Sequence, residues 1–528
     1  NDRQARVAAL VTALTRDVPA DETERTEEQA ARWLLANLLD WHRREDKVAY
    51  WEKFRLRDLD DDELRDERAA IAGLEFVNEI PPSGRSRLPT HRYSFPPQET
   101  NLQPGKKVYA RDAQIGTIED IDPVSGTVAI KKVGKSLRIH PQSVYSFEIV
   151  GTDELANSLM RLADQVAGSG FAGAPPYQAA CDLLLRRAPR ARMRNAGEDV
   201  VEAAKRLVHE LDGSVLPIQG PPGAGKTFTA ACMIIEALAA GKRVGVTANS
   251  HKVIRNLLDD VQAAARRQKL PPVSCLHKVT EKSEEDLPHW LQETTDNGEA
   301  ITAIRTGACQ VLAGTAWLWA RHEAAGSVDI LFVDEAGQVS LANTAAIAPA
   351  ARNLVLLGDP QQLDQPLQGS HPDGAEVSAL EHLLADAKTI GPGRGLFLDK
   401  TWRLHPEICR FTSELFYEAR LESRAGLENQ RIEGHPWLGQ FGLRYLPVRH
   451  EGNQNSSVEE VDFIASLVEG LLAPDVHWVD EDGNRKRLAR EEILIVAPYN
   501  AQVAAISRRL PGMRAGTVDK FQGRQAPV

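Results

Sequence analysis

The sequence predicts an α/β protein built on parallel-sheet domains with a phosphate-binding loop, preceded by a helical stalk and a small β-barrel. Three observations carry that expectation. From residue 197 onward, apolar strand-length runs alternate with helical stretches, the pattern of parallel α/β domains. Within that region an apolar run enters a glycine-rich turn, and a helical pattern (FTAACMIIEALAA) follows at once. Ahead of it, the hydrophobic period changes from helical spacing to alternation.

Taken in order, residues 1–80 read as helices. ARWLLANLLDW (31–41) puts apolar side chains at helical spacing, and the aromatics Tyr50, Trp51 and Phe54 continue it as core. RDLDDDELRDE (57–67) reads as a solvated helical face or turn. Residues 81–103 are rich in Pro, Ser and Arg and read as a loop. Short strands follow at Val108-Tyr109, 116–118, 126–130 and 137–139, with turns at Asp122-Pro123 and Gly134, and they suggest the barrel. Lys131, Lys132, Lys135 and Arg138 make it basic, on a face for phosphate or merely for solvent. Residues 168–176 (GSGFAGAPP) read as a flexible connection. Arg186, Arg187, Arg190, Arg192 and Arg194 then mark either a nucleic-acid contact or an exposed linker. The expected domains are a stalk (1–80), a barrel (81–150), a helical linker (151–196) and two α/β domains (197–392 and 393–528).

With 528 residues the chain is long enough for three to four domains. At 42% hydrophobic and 26% charged it is ordinary globular material, and no run approaches a membrane span. Sixty-three Lys and Arg against 74 Asp and Glu give a net charge of −11, which excludes coating nucleic acid by bulk charge but not a local basic groove. Five dispersed cysteines without a CxxC pair exclude a disulfide scaffold or a legible zinc site, and fit buried thiols in a reducing cytoplasm. The first residues show no basic-then-apolar signal pattern, and a start at Asn1 leads us to expect a processed or excised piece.

The chemistry concentrates in a few turns. Gly220-Pro-Pro-Gly223-Ala-Gly225-Lys226-Thr227 fits GxxxxGK[ST]. Its glycines let backbone N–H groups turn inward onto phosphate oxygens, and the helix N-terminus adds partial positive charge. Lys226 is placed to bridge β- and γ-phosphates of ATP, and Thr227 to hold Mg²⁺. DILFV (329–333) runs into Asp334-Glu335, at the strand end where parallel sheets bind ligands. Asp334 would hold Mg²⁺ and Glu335 would activate the attacking water. NLVLL (353–357) ends in Gly358-Asp359-Pro360-Gln361-Gln362, where the Gln362 amide can sense the γ-phosphate. In TWRLHP (401–406), Arg403 reads as an arginine finger and Trp402 as either an adenine platform or core.

The ordered set QGPPGAGKT, ANSHKV, GTAW, VDEAGQ, GDPQQL, WRLHP, APYNAQ and VDKFQG resembles a superfamily 1 helicase of the nonsense-mediated-decay helicase group over residues 197–528. The N-terminal helices resemble the segment that joins a RecB-like nuclease to the helicase in bacterial fusion proteins, which implies a nuclease domain upstream. The resemblance implies two RecA-like domains, and nucleic-acid backbone contacts by Ser250, Thr315, Tyr499 and Gln502. The family's adenine-reading glutamine is absent around Val200 and Val201, and Gln525 stands where a ribose-binding glutamate is expected. Few strands can be counted beyond residue 396 (at 397–398, 443–446, 493–496 and 517–518). The chain is therefore expected to continue past Val528 into another strand and a second arginine finger.

The implied function is an ATP-driven helicase or translocase, 5′ to 3′ on single-stranded DNA. The alternatives are an ATP-switched clamp or nucleoprotein remodeller that does not unwind, and an RNA helicase.

Overall fold

The computed structural model describes residues 2–528 except 83–87, 97, 99, 124, 148–149, 173–174, 285, 364, 366, 437, 439–440 and 522–523. The predicted FQG turn therefore lies partly outside the described residues, as does part of GSGFAGAPP. The chain divides into two compact units, residues 1–168 with 366–376, and residues 169–365 with 377–528.

The first unit opens with helices Asp2–Thr15, Glu27–Leu38, Trp41–Asp58 and Asp61–Arg65. Thr26 caps the second through a capping box with Gln29, and Asp60 caps the fourth through one with Glu63. Helical spacing ends at Arg65 rather than near residue 80. Strands β1 (Ala70–Ala72) and β2 (Glu75–Ile80) already belong to a seven-stranded antiparallel sheet. Its other members are β3 (Thr90–Ser94), β4 (Lys107–Ala110), β5 (Ala113–Asp122), β6 (Thr127–Lys132) and β7 (Ser143–Tyr145), in spatial order β1-β7-β4-β5-β6-β3-β2. Its core is Ile71, Tyr93, Val108, Ile115, Ile118, Val128, Ile130 and Val144.

Residues 81–103 are not loop throughout, because Thr90–Ser94 form β3 between β2 and β6, and three more expectations fail in this unit. Residues 137–139 form no strand, because a 3-10 turn, Gly134–Ser136, takes the chain off the sheet. Tyr50, Trp51 and Phe54 are exposed rather than core, since the helix Trp41–Asp58 buries Trp41, His42 and Leu56 instead. Lys132 is not a surface cation. It is buried, donates to the Ile139 carbonyl at 2.7 Å and to Tyr93 Oη at 3.3 Å, and burial lowers it to about 8. Residues 368–371 join this unit because the Glu45 carboxylate accepts from the backbone N–H groups of Gln368 and Gly369 and faces His371.

The second unit holds an eight-stranded parallel sheet: β8 (Val215–Gln219), β9 (Val244–Thr247), β10 (Cys275–Lys278), β11 (Leu291–Thr294), β12 (Val311–Ala313), β13 (Val328–Val333), β14 (Ala351–Gly358) and β15 (Leu396–Phe397). Spatial order is β11-β10-β12-β9-β13-β14-β8-β15, every ladder parallel. The central strands are fully buried (β8, β9, β12 and β14 almost throughout) because helices cover the sheet. That burial explains why these strands read as unbroken apolar runs. Helices Lys226–Ala239 and His251–Arg267 supply much of the core.

β15 corrects the count of strands beyond 396, for it extends the eight-stranded parallel sheet by pairing with β8. Residues 443–446 and 517–518 are not strands either. Beyond the sheet lie small ladders, including the parallel pair Leu494–Val496 and Arg514–Gly516, packed with helices Val458–Leu471 and Asn500–Arg509 around Val461, Val468, Ile495 and Ile506. Val528 exchanges backbone hydrogen bonds with this region, from Leu494 N to Val528 O and from Val528 N to Glu492 O. All five cysteines are buried free thiols. No helix among the described residues is long and apolar enough to cross a membrane.

Candidate functional site

β8 ends at Gln219, and the loop 220–225 turns directly into the helix Lys226–Ala239. Gly225 closes the loop in the left-handed region at φ +84°. A β-carbon at Gly220 would lie 2.2 Å from Lys226 Cγ, so the position must stay bare for the lysine to fold over the loop. Lys226 Nζ does so, donating to the Gly220 carbonyl at 2.9 Å. Thr227 is half-buried in the first turn of that helix.

Asp334 and Glu335 follow β13, two strands from β8 across β14. Asp334 is buried, and its carboxylate accepts from the Glu335 N–H at 2.9 Å. Burial, then the charge of Glu335, pushes its carboxyl up to about 7, while nearby Lys226 pulls the other way. Glu335 sits at φ +51°, ψ +40°, a left-handed backbone that costs a non-glycine residue of order 1–2 kcal/mol. The strand-to-turn geometry around it therefore overrides its local preference.

The segment 401–403 closes onto the loop. Thr401 Oγ1 donates to the Pro222 carbonyl at 3.0 Å, and Trp402 N–H donates to the Gly223 carbonyl at 2.9 Å. Thr401 Oγ1 also accepts from Arg403 N–H and Leu404 N–H. A β-carbon at Gly223 would come within 2.5 Å of Arg403 Cβ, so this glycine is what lets the arginine approach. Arg403 is partly buried, its Nε has no hydrogen-bond partner, and burial lowers its affinity for a proton. A buried guanidinium with an orphaned donor is costly unless an anion completes it. Trp402 is exposed, with the Arg424 guanidinium 4.7 Å from its ring centroid. The reading of Trp402 as core fails.

Gln362, after β14, donates its amide N–H to Asp359 Oδ2 at 2.8 Å. Asp359 is buried and also accepts from Tyr417 Oη at 2.6 Å. Tyr417, Asp359 and Thr401 were not singled out in the sequence. Nothing local in the sequence announces the hydroxyl bond of Tyr417.

These residues fit a nucleoside triphosphate with a divalent cation. The bare glycine cradle suits phosphate oxygens, the unpartnered Arg403 Nε suits an anion, and the buried Asp334 carboxylate suits a cation. No group of three or more His, Cys, Asp or Glu that could hold a metal exists among the described residues. A cation at Thr227 and Asp334 would thus take its remaining ligands from phosphate and water.

The predicted nucleic-acid residues divide. Ser250, exposed after β9, caps the helix His251–Arg267 by accepting from Val253 N–H. Thr315, after β12, begins the short helix Ala316–Trp319 without a side-chain cap bond. Both thus lie at the C-terminal edge of the parallel sheet. Tyr499 is exposed at 53%. Gln502 is not with it on the surface. It is buried, its Oε1 accepts from Ser457 N–H at 2.7 Å, and its Nε2 donates to Glu460 at 3.0 Å. Gln525 is exposed in the irregular segment 524–528.

The arginine run is largely spent on the chain itself. Arg187 and Arg190 pair with buried Asp182, Arg194 with Asp399, and Arg186 reaches His382. Lys131 likewise pairs with Glu119 in the first unit.

Residues 199–371 match one AAA domain family and residues 375–528 match another. The fission yeast DNA polymerase alpha-associated DNA helicase A is 24% identical over 58% of this chain and 54% of its own length. The mouse 5′-3′ DNA helicase ZGRF1 is 27% identical over 38% of this chain and 11% of its own. The Drosophila melanogaster regulator of nonsense transcripts 1 homolog is 24% identical over 61% and 30%. The chain thus spans between about a tenth and just over half of the length of these relatives.

Proposed function

We propose that this chain is a superfamily 1 helicase that couples ATP hydrolysis to movement along single-stranded nucleic acid. The observation that carries the reading is the closure of residues 401–403 on the phosphate loop, which sets Arg403 beside Gly223. A finger held there by backbone bonds is what phosphoryl transfer requires, because catalysis of that reaction is mostly positioning and charge stabilisation.

In this reading Lys226 and Arg403 meet the developing charge of the phosphates, and Glu335 orients and deprotonates water. Gln362 senses the γ-phosphate, and Trp402, backed by Arg424, stacks on the base. Magnesium, held by Thr227 and Asp334, would neutralise phosphate charge. Gln525, exposed, is the residue offered to the ribose. Two RecA-like domains, the second beginning beyond β15, alternate their grip as nucleotide is bound and released. The strand crosses Ser250 and Thr315 at the sheet edge, with Tyr499 offering a stacking face. The seven-stranded sheet of the first unit acts as a small barrel on the N-terminal helices.

DNA as substrate and 5′ to 3′ polarity draw support from the names of the fission yeast and mouse relatives. A RecB-like nuclease upstream remains part of this proposal, resting on the helical resemblance alone. The test is unwinding of a short duplex with a 5′ or a 3′ single-stranded tail. ATP-dependent unwinding from the 5′ tail is expected. ATP-dependent binding without strand separation would instead make the protein a clamp.

A further inference from the structure

The geometry points to Tyr417 as a positioning residue that sets the γ-phosphate response of Gln362 through Asp359. The assignment rests on the reading of Gln362 as that sensor.

Asp359 is buried and collects donors from three directions. Tyr417 Oη reaches its Oδ2 at 2.6 Å, Gln362 Nε2 reaches the same oxygen at 2.8 Å, and Gln361 N–H reaches Oδ1 at 3.2 Å. Gln219, the last residue of β8 before the phosphate loop, approaches Oδ1 at 3.5 Å. An amide that gives one N–H to a carboxylate has its orientation fixed and keeps a second N–H, the end able to donate to a phosphate oxygen. Which end of Gln362 meets a phosphate is therefore decided by how firmly Asp359 is held.

Tyr417 does that holding from a distinct part of the chain. It follows the helix Pro406–Phe416, which starts three residues after Arg403. Its ring packs among Leu384, Ile390, Phe397, Cys409 and Leu421, a setting that needs no hydroxyl. Two consecutive non-glycine residues after it, Glu418 at φ +53° and Ala419 at φ +59°, sit in the left-handed region. A strained turn of this kind persists only where surrounding contacts over-determine it. Here Glu418 and Arg420 both bond Thr389, and Arg420 also donates to the Ile390 carbonyl at 2.8 Å. Residues 388–390 are bonded in turn to Gln219, through the Lys388 carbonyl and the Ile390 N–H. The end of the strand before the phosphate loop, the sensor turn and the end of the helix that follows Arg403 are thus one hydrogen-bonded unit. A hydroxyl bond from Tyr417 to Asp359 lets the position of that helix dictate how Gln362 is presented.

The test is equilibrium binding rather than turnover. Affinities of wild type, Tyr417→Phe, Gln362→Ala and the double variant are measured for ADP and for a β,γ-imido ATP analogue with Mg²⁺, by displacement of a fluorescent ADP. Tyr417→Phe should leave ADP affinity within about twofold and weaken the ATP analogue about five- to tenfold, the scale of one net hydrogen bond. On the Gln362→Ala background it should add little, because the effect runs through Gln362. The inference is overturned if Tyr417→Phe discriminates as wild type does. It is equally overturned if both nucleotides weaken together with a lowered Tm, or if the two substitutions add. A wild-type chain that binds neither nucleotide overturns the nucleotide site itself, and a discriminating wild type with an unaltered Tyr417→Phe overturns this assignment alone.

Discussion

Lys226 donates its ammonium to the carbonyl oxygen of Gly220, 2.9 Å away and six residues earlier in the chain. The bond holds the lysine across the mouth of the loop, where phosphate oxygens would compete for the same protons. A carbonyl offers a partial charge and a triphosphate several full ones, so the ammonium has every reason to transfer.

Lys226→Ala should therefore abolish nucleotide turnover, because the loop loses the cation that faces the β- and γ-phosphates. Glu335→Gln should keep nucleotide binding and stop hydrolysis, as it removes a base and leaves the cradle intact. Binding titrations beside a turnover assay separate the two outcomes.

Arg403→Ala should reduce turnover by roughly 10³-fold or more, the range of arginine fingers. Fold stability should be unchanged or slightly raised, since the substitution removes a buried, incompletely bonded guanidinium. Gly223→Ala should weaken nucleotide binding by another route. It needs φ +73° and would press its β-carbon on Arg403. Thermal melts alongside phosphate-release kinetics read both effects.

How much of this was legible in the sequence follows from where each signal originates. The phosphate loop and β13 with its acidic pair were legible because local chemistry dictates them: glycines for backbone approach, apolar residues for strands buried on both faces. β15 was misplaced because two residues, Leu396 and Phe397, carry no information about which sheet they will join. Tyr50, Trp51 and Phe54 misled for a related reason. Helical spacing shows that residues share a face, not that anything covers it. The Asp359–Tyr417 bond joins residues 58 apart, and no spacing rule reaches that far.

Gln502 and Tyr499 should respond differently to truncation. Tyr499→Ala is expected to cost about 1–3 kcal/mol of single-strand affinity, the scale of one stacked base. Gln502→Ala should instead lower stability by about 1–3 kcal/mol, because it strips bonds from Ser457 and Glu460 inside the fold. Fluorescence anisotropy on a labelled oligonucleotide and chemical denaturation give the two readouts. The anisotropy should also fall steeply with salt, as backbone contacts release counterions.

Acid should loosen the second unit through its buried imidazoles, which outnumber the raised Asp334 carboxyl that works in the opposite sense. Burial, reinforced by His251, lowers buried His277 to about 4, and burial with nearby Arg186 lowers His382 to about 3. Between about pH 6.5 and 4 the unfolded chain binds protons at these imidazoles and the folded chain does not. Stability therefore falls as pH falls through that window, by up to about 1.4 kcal/mol per pH unit for each group. Denaturation midpoints at pH 7.5, 6 and 5 should drop in that order, and His382→Asn should flatten the trend.

The most direct measurement of the central claim is ATP hydrolysis by the purified chain, with and without a single-stranded oligonucleotide. The geometry around Lys226, Glu335, Gln362 and Arg403 predicts turnover that the strand stimulates and that Glu335→Gln removes. Turnover indifferent to the strand, or equally fast in Glu335→Gln, would contradict it.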